Sequence, residues 1–297
     1  MKNTLLALFL ALLLAGCATT QTTKSGAVGV DRKQYVGLVS EEEAVQQSAL
    51  AYQQVVKDAD AKRLLNTDSA ETKRVRVIGE RLIAQVGTFR EDALKWDWQI
   101  NVMESKEVNA YCMAGGKIMV YTGLLDAIKP TDDELAAVMG HEISHALREH
   151  VREQMSRVKA QQYGLLGLAI AVGVATGSGD AASQTADVGN QLATVALTLP
   201  NSRTAENEAD GMGLELMARA GYNPNAALTL WQKMSSLGGE KPAEILSTHP
   251  SDQTRMDHIK GLIPKVMPLY DQAKNSSAAS VSPASNSLKN NTTQKKK

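Results

Sequence analysis

His141, Glu142 and His145 fall in the pattern H-E-x-x-H, spelled His141-Glu142-Ile143-Ser144-His145. On a helix, residues four apart lie one above the other, so two imidazoles can share one tetrahedral Zn²⁺ while Glu142 sits beside its water. A catalytic zinc takes three protein ligands and leaves one position open. One common plan would put Gly at 148 and a third His at 151, but these positions hold Arg148 and Val151, and His150 is one residue out of step. The third ligand is therefore sought elsewhere. Glu206 and Asp210 lie four apart in Ser202-Arg203-Thr204-Ala205-Glu206-Asn207-Glu208-Ala209-Asp210. They share one helix face, so Glu206 can bind while Asp210 accepts a hydrogen bond from a ligand imidazole and fixes its tautomer. Glu208 is a competitor for the ligand position. His150 and His258 read as surface helix residues.

Helices must carry these groups. Thr131-Asp132-Asp133-Glu134 is a capping box with acids in the first turn, and Leu135, Val138, Met139, Ile143, Leu147 and Val151 follow at helical spacing. The motif thus lies well inside a helix. Met212, Leu214, Leu216 and Met217 give the Glu206 segment an apolar face. Ser40 and Glu43 cap a helix to about Ala61, and Val75, Ile78, Leu82, Ile83 and Val86 mark a second one, ended by Gly87. Trp96 to Val102 alternates like a half-buried strand. Lys117 to Tyr121, after Gly115-Gly116, reads as its antiparallel partner. Tyr163 to Gly177 is apolar, Gly-rich and too short for a comfortable membrane span, which suits a buried helix or a mobile flap. After Ser247-Thr248-His249-Pro250 comes a last amphipathic helix with Met256, Ile259 and Leu262.

The expected fold is α+β and mostly helical, a zincin-like domain with a small antiparallel sheet beside the motif helix. The 297 residues, 43% of them apolar, suffice for a sizeable core, and 32 basic against 32 acidic residues leave no global charge to attract nucleic acid. Two Cys give no disulfide framework. Cys112 reads as a small half-buried hydrophobe, or as a thiol that pairs with another chain. Residues 40–270 form the domain, and 271–297, ending in Ser, Asn, Thr and Lys, a disordered tail.

The start of the chain has one Lys, an apolar run from Leu5 to Leu14, and then Leu14-Ala15-Gly16-Cys17. This resembles a lipoprotein signal (1–16) with its lipobox. The resemblance implies that Cys17 becomes an acylated, palmitate-type anchor, and Ala18 after it implies sorting to the bacterial outer membrane, facing the periplasm. Residues 17–39, rich in Thr, Ser, Gly and Gln, read as the lipidated tether.

Four motifs in order carry a wider resemblance: Asn109-Ala110-Tyr111-Cys112-Met113-Ala114-Gly115-Gly116-Lys117-Ile118, then H-E-I-S-H, then E-N-E-A-D, then Thr248-His249-Pro250-Ser251-Asp252. Together they resemble the HtpX-like and CAAX-prenyl-protease-like zinc metallopeptidases, of gluzincin type, over about residues 40 to 265. The lipobox makes the chain similar to their periplasmic lipoprotein branch, relatives of the beta-barrel-assembly-enhancing protease. The chain departs from that relative in lacking recognisable tetratricopeptide repeats after His249, and from integral members in lacking convincing spans. The resemblance implies one Zn²⁺ per chain and cleavage of misfolded or unassembled envelope polypeptides. It also implies His249 and Arg255 at the cleft edge as donors to a developing oxyanion, with His249 alternatively on the open zinc position in a resting form or merely a loop residue, and Gly115, Gly116, Lys117 and Ile118 as a strand that pairs with substrate, or merely as a hairpin turn. A different class remains open: an envelope lipoprotein that holds unfolded outer-membrane proteins without cutting them.

Overall fold

The structure, a computed structural model, describes residues 19–176, 200–237, 244–249 and 253–281. The signal segment, Cys17, Gly177 and residues 282–297 lie outside the described residues. In order come β1 (Thr19–Thr20), β2 (Gln34–Tyr35), α1 (Glu41–Ala61), α2 (Ser69–Ile83), β3 (Gln99–Met103), β4 (Ala110–Met113), β5 (Lys117–Tyr121), α3 (Thr122–Ile128) and α4 (Asp132–Leu147). They are followed by α5 (His150–Thr176), α6 (Arg203–Arg219), α7 (Ala226–Ser235), α8 (Glu244–Thr248) and α9 (Gln253–Val281). Among the described residues, no helix is long and apolar enough to cross a membrane.

Local chemistry starts the helices where the sequence signals them. The Ser40 hydroxyl accepts from the Glu43 N–H, and Thr131 and Glu134 close both halves of the capping box ahead of α4. Ser202 caps α6 by accepting from the Ala205 N–H. The motif helix does not run on to Val151. It stops at Leu147, and Glu149 takes a left-handed φ of 56° before α5 begins. Arg90 and Arg152 clamp the Glu149 carboxylate at 2.6 and 2.5 Å, which sustains this uncommon conformation. Val151 keeps apolar phase across the break, so periodicity alone hides it.

The sheet is mixed. β5 is its central strand, parallel to β3 and antiparallel to β4, in the order β3-β5-β4. The two strands expected to pair antiparallel are therefore parallel, and the antiparallel partner is the four-residue β4. Gly115 and Gly116 make the β4–β5 turn at φ +76° and +82°, where a side chain would be strained, and a Cβ on Gly116 would also strike the Trp98 ring.

α4 is buried on nearly every side. It packs most extensively on α6, and also on β4, α2 and α7. Gly140 of α4 faces Gly213 of α6 closely enough that a Cβ on Gly213 would lie 2.9 Å from the His141 nitrogen and 3.0 Å from the Gly140 carbonyl carbon. Backbone cannot yield as a side-chain tip can. Gly213→Ala is therefore expected to push the two site-bearing helices apart, at about 1–3 kcal/mol of overpacking. Denaturant unfolding reads the loss, and a drop in metal affinity should accompany it.

Two boundaries differ from the sequence expectation. Residues 19–39 are packed rather than a free tether: Gln34, Val36 and Val39 are buried, and the Ala27 and Val28 amides donate to Glu215. Their polar composition serves hydrogen bonds to buried charges, which hydropathy does not register. α9 continues through Val281, past residue 270 where the disordered tail was expected. Lys274 over the Tyr270 ring, and the Ser276 hydroxyl donating to the Gln272 carbonyl, support the added turns without any apolar stripe. Tyr163 to Thr176 is helical, as the end of α5.

Candidate metal centre

α4 and α6 cross so that the face bearing His141 and His145 meets the face bearing Glu206 and Asp210. His249 reaches the same point from the end of α8. Ligand-capable atoms of His141, His145, Glu206 and His249 all lie within 4.8 Å of one another, and all four residues are buried. His145 Nε2 is 3.0 Å from His141 Nε2 and 3.3 Å from Glu206 Oε1, and His141 Nε2 is 3.4 Å from Glu206 Oε2. His249 Nδ1 stands 3.0 Å from Glu206 Oε1 and 3.2 Å from His141 Nε2. Three of the expected ligands are thus brought together, and His249 completes the group.

The acids are held ionised. Burial raises the Glu206 carboxyl, but the His249 and His141 imidazoles outweigh it and hold the group far below the usual range. Burial likewise opposes ionisation of Asp210, yet Arg255 brings it down to about 2. Burial alone would lower His141, whereas the Glu206 and Asp210 carboxylates lift it to about 9. The donors thus draw positive charge to one point, as a divalent cation site does. Glu142 completes the fit. It is buried, its Oε1 has no hydrogen-bond partner among the described residues, and His249 Nε2 is 3.6 Å away.

The surrounding contacts correct several readings. Asp210 Oδ1 accepts from His141 Nδ1 at 2.9 Å, as expected of the residue that orients a ligand. Arg255 is not poised over open space. Its guanidinium grips Asp210 at 2.5 and 2.8 Å and Glu206 Oε2 at 2.7 Å, and lies 3.8 Å from the centroid of the Trp231 ring. That geometry holds the carboxylates rather than a reacting oxygen. Glu208 faces Arg32, Arg148 and His150 instead of the cluster. His150 is buried, not on the surface, with Nδ1 2.8 Å from His145 Nδ1. His258 is half-exposed. Sequence spacing could not bring His150 inward, because on an unbroken helix it points away from His145. The turn at Glu149 rotates it back.

A cavity of about 450 Å³ opens beside the cluster, lined by β4 together with Glu142, His145, His150 and His249. Its apolar wall includes Val55, Met113, Tyr121 and Val151. Lys117 and Ile118 cannot pair with a bound chain: they lie in the central strand, buried, with the Lys117 ammonium on Asp97 at 2.6 Å. β4 is the edge strand that lines the cavity. Because the Asn109 carbonyl accepts from the Tyr121 N–H, ladder alternation turns the peptide groups of Ala110 and Cys112 away from β5. Cys112 is free and buried, and burial raises its thiol well above the ordinary value, so it serves as a small apolar residue and not as a partner for another chain.

Crossed helices with a buried His-His-Glu cluster, a neighbouring acid and a sheet edge along the cleft make a mostly helical domain whose site can hold a metal, as a metallopeptidase requires. Residues 69–263 match peptidase family M48, and the chain belongs to that family. It is 40% identical over 158 residues to the mitochondrial metalloendopeptidase OMA1 of Arabidopsis thaliana, a match covering 53% of this chain and 30% of that protein. It is 27% identical over 274 residues to the metalloprotease YcaL of Escherichia coli, covering 89% of this chain and 98% of YcaL. The beta-barrel assembly-enhancing protease of Escherichia coli is 25% identical over 215 residues, 70% of this chain and 42% of that one. The chain thus spans less than a third of the length of the Arabidopsis protein.

Proposed function

We propose that the protein is a zinc metalloendopeptidase of the bacterial cell envelope, lipid-anchored at Cys17, that hydrolyses unfolded or unassembled polypeptides. The observation that carries the hydrolase reading is the convergence of His141, His145, Glu206 and His249 within 4.8 Å, beside a buried Glu142. Zinc held by His141, His145 and Glu206 would supply a Lewis acid for the scissile carbonyl and lower the pKa of the attacking water. The substrate backbone pairs in extended form with β4, through the Cys112 peptide group and the Ala110 carbonyl, the Ala110 N–H being held by the Asn109 side chain, and this takes hold of a chain without reading every side chain. Only unfolded segments can offer a free strand, and this supports a quality-control substrate. Glu142 takes the proton of the attacking water and returns it to the leaving amine. His249, with Nδ1 3.0 Å from Glu206 and Nε2 3.6 Å from Glu142, would supply a fourth donor to the metal in the resting site, or a hydrogen bond to bound substrate. Arg255 acts by holding Glu206 and Asp210 in place.

The anchor rests on the Leu14-Ala15-Gly16-Cys17 sequence and on likeness to the Escherichia coli relatives. The Arabidopsis relative is named mitochondrial, which describes that protein. With residues 19–39 packed against the domain, an anchor at Cys17 would hold the catalytic domain close to the membrane.

Chelation provides the direct test. The purified protein should cleave an unfolded polypeptide, lose cleavage on treatment with a strong chelator, and regain it with one equivalent of zinc. Cleavage that survives complete metal removal defeats the proposal. Suppressed aggregation with no cleavage at any zinc level returns the holdase reading. Cys17→Ser should release the protein from membranes, and membrane retention of this variant rejects the anchor.

A further inference from the structure

His145 offers Nε2 to the cluster, so its Nδ1 must find a partner on the other side, and that partner is another imidazole. His150 Nδ1 lies 2.8 Å away, with both residues buried. An imidazole that binds a cation through Nε2 carries its proton on Nδ1, so His150 Nδ1 must accept. His150 then carries its own proton on Nε2, where Glu208 Oε2 accepts it at 3.0 Å. Glu208 is held in turn by Arg148, at 3.2 Å, and by Arg32 through Nε and Nη2 at 2.8 and 2.9 Å. Arg32 also grips Glu153 with two bonds of 2.8 Å. One proton assignment satisfies every atom along this line.

Arg32 belongs to the segment before α1, and the rest of that segment fastens to the same place. The Thr22 and Thr23 hydroxyls accept from the Arg148 guanidinium at 3.3 and 3.2 Å, Arg148 donates to the Arg32 carbonyl, and the Gln34 amide donates to the Arg148 carbonyl and to Glu153. Arg148 is fully buried beneath them. Ala27 and Val28 secure the segment a second time on Glu215. A fully buried Arg148 and a partly buried Arg32, set against the buried carboxylates of Glu208 and Glu153, would be an expensive way merely to cover a helix end. Their arrangement leads, hydrogen bond by hydrogen bond, to one nitrogen of His145.

We propose that His150 is a positioning residue for the metal ligand His145, and that residues 19–39 form a strap whose Arg32, through Glu208, locks His150 in the accepting tautomer. The inference rests on the reading of His145 as a ligand. It gives the strap a task that a tether could not have: the metal site is complete only when the strap is docked. Displacing the strap, by a partner or by tension on the anchor, loosens the ligand without touching it.

The test is metal affinity, measured by competition with a chromophoric chelator on the full chain. His150→Phe keeps the ring volume and removes the acceptor, so zinc affinity should fall about 10- to 100-fold, the usual effect of losing the partner of a ligand imidazole. His150→Asn places an acceptor oxygen near the position of Nδ1 and should recover most of the loss. A merely structural His150 would show no such rescue. Arg32→Ala, at a partly exposed residue that folding tolerates better, should weaken zinc several-fold and shift the visible spectrum of the cobalt-substituted protein. Unchanged affinity in Arg32→Ala, or in a folded His150→Phe, overturns the proposal. If His145→Ala itself binds zinc as tightly as the parent, the ligand reading has failed instead.

Discussion

Glu142→Gln is expected to bind zinc as the parent does and to lose about 10²- to 10⁴-fold in kcat for peptide cleavage, the range ascribed to one positioned acid–base group. The substitution keeps volume and hydrogen-bonding reach, so the buried site should survive it. What goes is the capacity to take a proton. The position is suited to that role: burial raises the Glu142 carboxyl above its ordinary value, opposed by the His249 and His141 imidazoles, and that direction favours a group that must both accept and return a proton. Oε1 has no hydrogen-bond partner among the described residues, so the carboxylate is not committed to holding the fold together. Single-turnover cleavage of an unfolded substrate, with metal content measured on the same sample, checks both halves. A variant that turns over at the parental rate removes Glu142 from the chemistry, and one that loses zinc makes it a structural residue. The inactive, metal-loaded variant should also retain its substrates, so the polypeptides that accumulate on it would name them.

The site was legible because its parts are local. The spacing of two His on a capped helix, and of Glu206 and Asp210 on another, places side chains through helix geometry alone. What hydrophobic pattern could not supply depends on partners far along the chain. β4 is four residues of Ala, Tyr, Cys and Met with no polar alternation, and only its pairing with β5 makes it a strand. The parallel direction of β3 is likewise a property of the pair. Residues 19–39 have the composition of a tether, yet hydrogen bonds to Arg148 and Glu215, over a hundred residues away, fix them. His150 looked external because Val151 extends the apolar phase of α4 through a break that only the left-handed Glu149 reveals. The packing of residues 19–39 depends on polar contacts of long sequence separation, and the strand pairings and the turn at Glu149 on backbone geometry, neither of which composition and period encode.

Glu206→Ala is expected to abolish stoichiometric zinc binding under conditions that load the parent fully. Structural zinc sites bind with apparent free energies of about 10–16 kcal/mol over four ligands, or about 3 kcal/mol per ligand, so one ligand is worth roughly a hundredfold in affinity. Here the loss should exceed that. Glu206 is the anionic member of the donor set, and its removal leaves Arg255 Nη1, now 2.7 Å from Oε2, facing two imidazoles with no intervening negative charge. The same change costs stability, since a buried guanidinium that loses one of its two carboxylates is left partly uncompensated. Asp210 still holds Arg255 at 2.5 and 2.8 Å, so the variant should fold, with a lowered Tm that zinc no longer raises. Glu206→Gln separates the two effects: it preserves an oxygen toward Arg255 and the packing of α6 on α4, and should recover much of the stability while still binding zinc far more weakly than the parent. Thermal unfolding with and without zinc, beside chelator competition, distinguishes them. Full zinc loading of Glu206→Ala would transfer the third ligand to His249, and a matching loss of zinc in His249→Ala would then follow.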